Sequence, residues 1–187
     1  MKKILLTLGV TLLTAFTLVA CGNDSESKET NSSGTSNETE TAKKSEKEKT
    51  DVYFKDNELK IDMATVKLTG SEVIPPDQNE DKSTLIITYE FTNDSDDVLQ
   101  PFDVFLACFK LTQETNVSVI DLDISMADLP AEYNEMNEMA NTNIKPGATV
   151  KAEMDYAIQD TTKPVNMIAT QGVGGKELGT KTYNIEQ

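Results

Sequence analysis

The sequence has no His, no Arg and no Trp, and only two Cys, at positions 21 and 108 of 187 residues. Without His there is no Ser–His–Asp or Cys–His catalysis, no imidazole general base near neutral pH and no His-ligated zinc. Two Cys cannot build a Cys-rich metal site or a disulfide framework. Basic residues are scarce and all are Lys: 17 of them stand against 32 acids, a net charge of −15. The length leaves room for one domain and not two.

The charge is unevenly spread. Residues 1–21 carry two Lys and no acid, residues 22–50 five Lys and seven acids, and residues 51–187 ten Lys and 25 acids. So acidic a domain repels nucleic acid, anionic lipid headgroups and anionic wall polymers. A partner selected by charge is therefore a cation, a basic peptide or a basic protein. The simpler account of the same charge is solubility.

The N-terminus reads Met1-Lys2-Lys3 and then an apolar run from Ile4 to Ala20. This is the charged n-region and hydrophobic h-region of an export signal. The run ends in Leu18-Val19-Ala20-Cys21-Gly22, which resembles the bacterial lipobox. The resemblance implies that the Cys21 sulfur receives a diacylglyceryl group and that the signal is cut between Ala20 and Cys21. Two acyl chains suffice for stable anchoring, since each buried methylene contributes about 0.8 kcal/mol. Residues 22–50 hold a single apolar side chain, Ala42. Nothing there can offset chain entropy by burial, so a disordered tether is expected. A flexible coil of that length spans roughly 30 Å. Stretched, it reaches about 100 Å.

From residue 51 onward the pattern is one of strands. Thr84-Leu85-Ile86-Ile87-Thr88-Tyr89-Glu90-Phe91-Thr92 alternates, with Leu85, Ile87, Tyr89 and Phe91 on one face. The run from Val150 to Ile158 alternates as cleanly, and its polar face is expected to meet solvent. Tyr53-Phe54 and Glu58 to Ile61 flank Asp56-Asn57, residues that tolerate turn conformations, so a hairpin is expected. Apolar positions change parity between Met63 and Val66, which predicts a bulge near Ala64-Thr65 or a strand crossing between sheets. Val104 to Phe109 is apolar on both faces and reads as a strand covered on both sides. Phe105, Ala107 and Phe109 would face the core. Asp128-Leu129-Pro130 reads as the start of a short helix, with Asp128 as N-cap and Asn141 at its end. Leu129, Tyr133, Met136 and Ala140 would share its buried face. Further strands are expected near 116–122, 164–170 and 180–185, with turns at 93–97, 145–147 and 172–175.

Residues 51–187 resemble a domain-of-unknown-function family found in lipoproteins of Gram-positive bacteria. The resemblance is carried by Thr88 to Ser95, a strand ending in an Asn-x-Ser turn, by Ile144-Lys145-Pro146-Gly147-Ala148-Thr149-Val150, and by Asp160-Thr161-Thr162-Lys163-Pro164-Val165. It implies an immunoglobulin-like, telokin-like fold at the cell surface and no activity. The fold class expected is thus all-β, an immunoglobulin-like β-sandwich of seven to eight strands with one short helix, after a disordered tether.

Asp121, Asp123, Ser125 and Glu132 match four EF-hand positions, but Met126 stands where that loop needs Gly and Pro130 interrupts it. Looser acidic groups, Asp77 with Glu80 and Asp81 or Asp94 with Asp96 and Asp97, read more simply as solvated turns. Met136-x-x-Met139 reads as packing before it reads as a copper site. Cys108 lies in an apolar run and reads as a buried, inert thiol. The Gly172–Gly175 segment lacks the Lys-Ser/Thr of a phosphate loop.

The resulting expectation has three parts: a signal peptide over 1–20, a lipidated Cys21 with its polar tether over 21–50, and a monomeric sandwich over 51–187. The product is a non-enzymatic binding or scaffold module on the extracytoplasmic face of the membrane. It uses no cofactor or metal and touches the membrane through its anchor. The alternative is an inhibitor or immunity-type lipoprotein that captures a cationic protein or peptide. Asp121, Asp123, Asp128, Glu132, Glu135 and Glu138 form the candidate partner-binding segment. About 20 residues exceed an ordinary connection, and long connections are often functional. The same segment also reads as a plain structural cover.

Overall fold

The computed structural model describes residues 51–185; the signal peptide, Cys21 and the tether lie outside the described residues. The first hairpin forms where Asp56 and Asn57 both take positive φ, 51° and 66°, joining β1 (Tyr53–Lys55) to β2 (Glu58–Lys60). Two successive left-handed residues make the tight turn whose twist suits antiparallel strands. The chain then turns through residues 61–63, closed by Ile61 N–H donating to Ala64 O at 3.0 Å, and enters β3 (Ala64–Ile74). That turn, and not a bulge at Ala64-Thr65, changes the parity of the apolar positions. The bulge lies further on, between Leu68 and Gly70, where a Cβ on Gly70 would meet Thr88 Oγ1 at 3.1 Å.

β3 pairs with β4 (Thr84–Asn93), and β4 pairs with β7 (Thr149–Ala157) from Thr84↔Ala157 to Thr92↔Thr149. The five-stranded sheet runs β1-β2-β3-β4-β7. The second sheet contains β5 (Phe109–Glu114), β6 (Val119–Asp121), β8 (Val165–Thr170) and β9 (Glu177–Tyr183) in the order β6-β5-β8-β9. All pairings are antiparallel. With β3, β4 and β7 as strands A, B and E, and β6, β5, β8 and β9 as C′, C, F and G, this is the immunoglobulin order. Nine strands are present among the described residues, against the seven to eight expected. The β1–β2 hairpin adds two strands on the outer edge of strand A to the seven of the sandwich proper.

One short helix stands where the sequence suggested a strand, and the short helix that was expected forms with a later start. Pro101–Cys108 forms α1 and not a strand, with Pro101 in the first turn. Pro101, Val104, Phe105 and Cys108 are buried, at i, i+3, i+4 and i+7, while Leu106 is 43% exposed. Phe105 is inserted between the sheets, its ring 4.8 Å from Tyr89 and 4.6 Å from Phe109. The core around it joins Leu59, Val66, Leu85, Ile87 and Phe91 of one sheet to Leu111, Val165, Met167 and Ala169 of the other.

The second helix starts later than expected. Pro130 is extended (ψ 145°), a 3₁₀ turn covers Ala131–Tyr133, and α2 runs from Asn134 to Ala140. Asp128 makes no cap. The residue before a proline is steered away from helical angles, which keeps Leu129 out of the helix. Asn141 does end it, as expected.

The segments that carry the family resemblance are structural. Asn93 is fully buried, and its Nδ2 donates to Asp97 O at 2.7 Å and Ile144 O at 2.8 Å. Its Oδ1 accepts from Ser95 N–H at 3.0 Å and Ser95 Oγ at 2.7 Å. Gly147, at φ 75°, donates its N–H to Asn93 O at 2.7 Å. The Asn-x-Ser turn and the Pro-Gly turn thus lock the ends of β4 and β7 together.

Candidate binding site beneath the acidic strap

Strand β7 faces the core with Ala152, Met154 and Tyr156, all buried. Its other face carries Lys151, Glu153 and Asp155. This face was expected to meet solvent, and at Lys151 it does. Glu153, in contrast, is only 1% exposed and Asp155 is half-buried. The cover is the first part of the connection from β6 to β7, residues 122–141, which takes the place that strand D holds in an immunoglobulin sandwich.

This strap is fastened along its length. Ala157 N–H donates to Asp123 O at 3.0 Å and Ser125 N–H to Asp155 O at 3.1 Å, so 123–125 briefly extends the sheet. Ser125 and Thr84 hydroxyls meet at 2.6 Å, both buried. Asp128 N–H donates to Asp77 Oδ2 at 2.6 Å. Asp77 Oδ1 accepts from the Asn79 and Glu80 N–H groups at 2.8 and 2.9 Å. These backbone donors, Asp128 first, hold the Asp77 carboxyl below its ordinary range. Tyr133 OH donates to Glu72 Oε2 at 2.5 Å, and the charge-bearing acceptor pushes the phenol up to about 12. Asn137 Nδ2 donates to Glu153 Oε1 at 2.8 Å.

Between strap, α2 and β7 lies a cavity of about 280 Å³, walled by Phe102, Met126, Leu129, Asn137, Glu153 and Asp155 among others. Glu153 Oε2 is buried without a hydrogen-bond partner. Burial raises the Glu153 carboxyl to about 7, against the Asn137 hydrogen bond, and the neighbouring Asp155 charge adds to the rise. Burial likewise lifts Asp155 to about 6. Residues two apart on one strand face have their Cα atoms about 6–7 Å apart.

The six acids singled out from the sequence, Asp121, Asp123, Asp128, Glu132, Glu135 and Glu138, are all exposed on this segment. Asp121 Oδ1 pairs with Lys110 Nζ at 2.9 Å. The other five make no ion pair among the described residues. Asp121 ends β6 and 123–125 is extended, so the EF-hand spacing is not folded as such a loop. Asp94 is likewise engaged, by Lys60 Nζ at 2.7 Å and Thr65 Oγ1 at 2.6 Å. Among the described residues no group of three or more Cys, Asp and Glu could hold a metal ion. Cys108 is buried at the end of α1, and burial pushes its thiol up.

The sequence reading missed Glu153 and Asp155. The alternation placed both on the outer face, and the only sign of a cover was the unusual length of the connection before β7. A second cavity, about 400 Å³ and largely apolar, opens at the end bearing α1 and the β8–β9 turn, with Met63, Val104, Ala107 and Cys108 among its walls.

Solved structures share this fold. A candidate lipoprotein from Staphylococcus aureus matches with a TM-score of 0.64 at 20% identity, covering 72% of this chain and 92% of that one. A protein from Enterococcus faecalis, solved by NMR, matches with a TM-score of 0.59 at 14% identity, covering 72% and 93%. No curated protein matches the chain. No helix among the described residues is long and apolar enough to cross a membrane. The profile of the domain of unknown function DUF5067 matches residues 24–171, well over half of the sequence, and the chain belongs to that family.

Proposed function

We propose that this chain is a lipid-anchored, extracytoplasmic binding module without catalytic activity, and that its strap receives a basic protein or peptide. The exposure of all six acids, the five on the strap itself without an ion pair among the described residues, carries this reading. A carboxylate row with no cation set against it raises the on-rate of a basic partner more than it contributes to folding. Met126, 72% exposed, adds an adaptable apolar contact beside the acids. The sandwich fold shared with a candidate lipoprotein of a Gram-positive bacterium agrees with an anchor at Cys21.

Replacing Glu132, Glu135 and Glu138 together with Gln removes charge and keeps size. Capture of a basic probe, oligolysine on a sensor surface, should weaken about tenfold at low salt, since exposed charges contribute up to about 1 kcal/mol each. The melting temperature should hold, because surface substitutions usually stay within about 0.5 kcal/mol. Unchanged capture would make the strap a cover and nothing more.

For the anchor, a clickable fatty acid fed to expressing bacteria should label the wild-type chain and leave Cys21→Ser unlabelled. Label that survives this substitution would place the lipid elsewhere or dismiss it.

A further inference from the structure

The cavity under the strap contains an unusual group. Buried polar atoms are nearly always hydrogen-bonded, and each exception calls for a reason. Glu153 Oε2 is such an exception, on a side chain 1% exposed. Its sister oxygen is already used by Asn137. Asp155 stands on the same strand face and lines the same cavity. Glu153 Oε2 still lacks a donor; of the remaining polar walls, Asn141 Nδ2 donates to Asn137 O and the Ser125 hydroxyl meets Thr84, while Phe102, Leu129, Met126 and Met154 are apolar. A bare metal ion would need several oxygen ligands, which this set does not hold. The chemistry that fits is a cationic donor on a short carbon chain.

We infer that this cavity binds a primary alkylammonium group, its charge set against Glu153 and Asp155 and its methylenes against Phe102, Leu129 and Met154. The group comes either from a lysine side chain of a partner or from a free amine. The inference deepens the basic-partner reading, and the two can fail separately: a small amine gives the strap's surface acids no peptide to grip.

The cation also sets a pH dependence. Asp155 acts on Glu153 from beside it on β7, and Glu153 in turn acts on Tyr133 on the strap and Tyr89 on β4. Both tyrosines stay neutral well past physiological pH, because their phenols are raised. Glu153, with its carboxyl near 7, passes through most of its titration between pH 6 and pH 8, while Asp155, near 6, only completes its own. An ammonium prefers the ionised form, so its apparent affinity should rise about tenfold over that interval as the competent fraction grows.

The test is methyl-methionine NMR of the full chain in detergent micelles. Met126 and Met154 line the cavity, and Met63 lines the second, apolar one. n-Butylammonium should shift the Met126 and Met154 methyl signals saturably, leave Met63 unmoved and bind more tightly at pH 8 than at pH 6. n-Butanol, the neutral analogue, should not shift them. Glu153→Gln should bind the amine at least about tenfold more weakly and lose the pH dependence. Asp155→Asn serves as the second variant should Glu153→Gln lose its dispersed methyl spectrum, and should also weaken binding. Butanol binding as well as butylammonium, or a folded variant binding as tightly as wild type, overturns the inference; so does an unmoved Met154. Nα-acetyl-lysine methylamide separates the two sources. Its binding at least as tightly as butylammonium assigns the site to a lysine side chain, and its exclusion while butylammonium binds assigns it to a free amine.

Discussion

Phe105→Ala should lower the unfolding free energy by about 3–5 kcal/mol, the range for truncating a large buried aromatic residue. Phe105 is fully buried and packs tilted against both Tyr89 and Phe109. Aromatic pairs of this kind add about 0.5–1.5 kcal/mol each beyond area burial. Leu106→Ala, one residue on, should change stability by less than about 1 kcal/mol, since that side chain is 43% exposed. The contrast tests the helix itself. In a strand covered on both faces the two truncations would be similarly costly. Urea unfolding of the three proteins decides: equal losses at 105 and 106 would contradict α1.

That run shows why part of the fold could not be read in advance. Val104 to Phe109 satisfies a two-residue period through Phe105, Ala107 and Phe109, and a helical period through Pro101, Val104, Phe105 and Cys108. Short apolar runs do not decide between these. Pro101 in the first turn was the local sign favouring the helix. The hairpin at Asp56-Asn57 and strand β4 were readable because turn chemistry and alternation act within a few residues. The site divides the same way. Exposure of the six acids follows from their own polarity. Burial of Glu153 and Asp155 does not, because Lys151, Glu153 and Asp155 look alike along the strand. They are separated by where a chain segment up to 31 residues earlier lies down. Asp128 illustrates the same limit: its expected cap is absent, and its backbone N–H binds Asp77, 51 residues away in sequence.

Raising the pH from about 5 to about 8 should destabilise the domain, with Glu153 alone contributing about 3 kcal/mol. The sign follows from the direction of the shift. The Glu153 carboxyl is raised from 4.5 to about 7 on folding. Between those values the folded state holds a proton that the unfolded state has released, so stability falls as pH rises. The loss begins near 4.5 and levels off above 7. Asp155, raised from 3.8 to about 6 by burial, acts in the same direction at slightly lower pH. Asp77 and Asp160 act oppositely, because their carboxyls are lowered by hydrogen bonds, from the strap at Asp77 and from Thr162 at Asp160. Their contribution is kept at neutral pH and lost only as pH falls through those lowered values, so it does not mask the Glu153 window. Urea unfolding of the full chain across this range measures the slope directly. Glu153→Gln retains the acceptor for Asn137 and cannot ionise, so its stability should be nearly flat from pH 6 to 8, where the wild type still declines. A wild-type slope that survives this substitution would assign the titration to another group. A saturating alkylammonium should offset part of the wild-type loss at pH 8, since a ligand bound only by the folded state adds RT ln(1 + [L]/Kd). In Glu153→Gln the same ligand should add almost nothing.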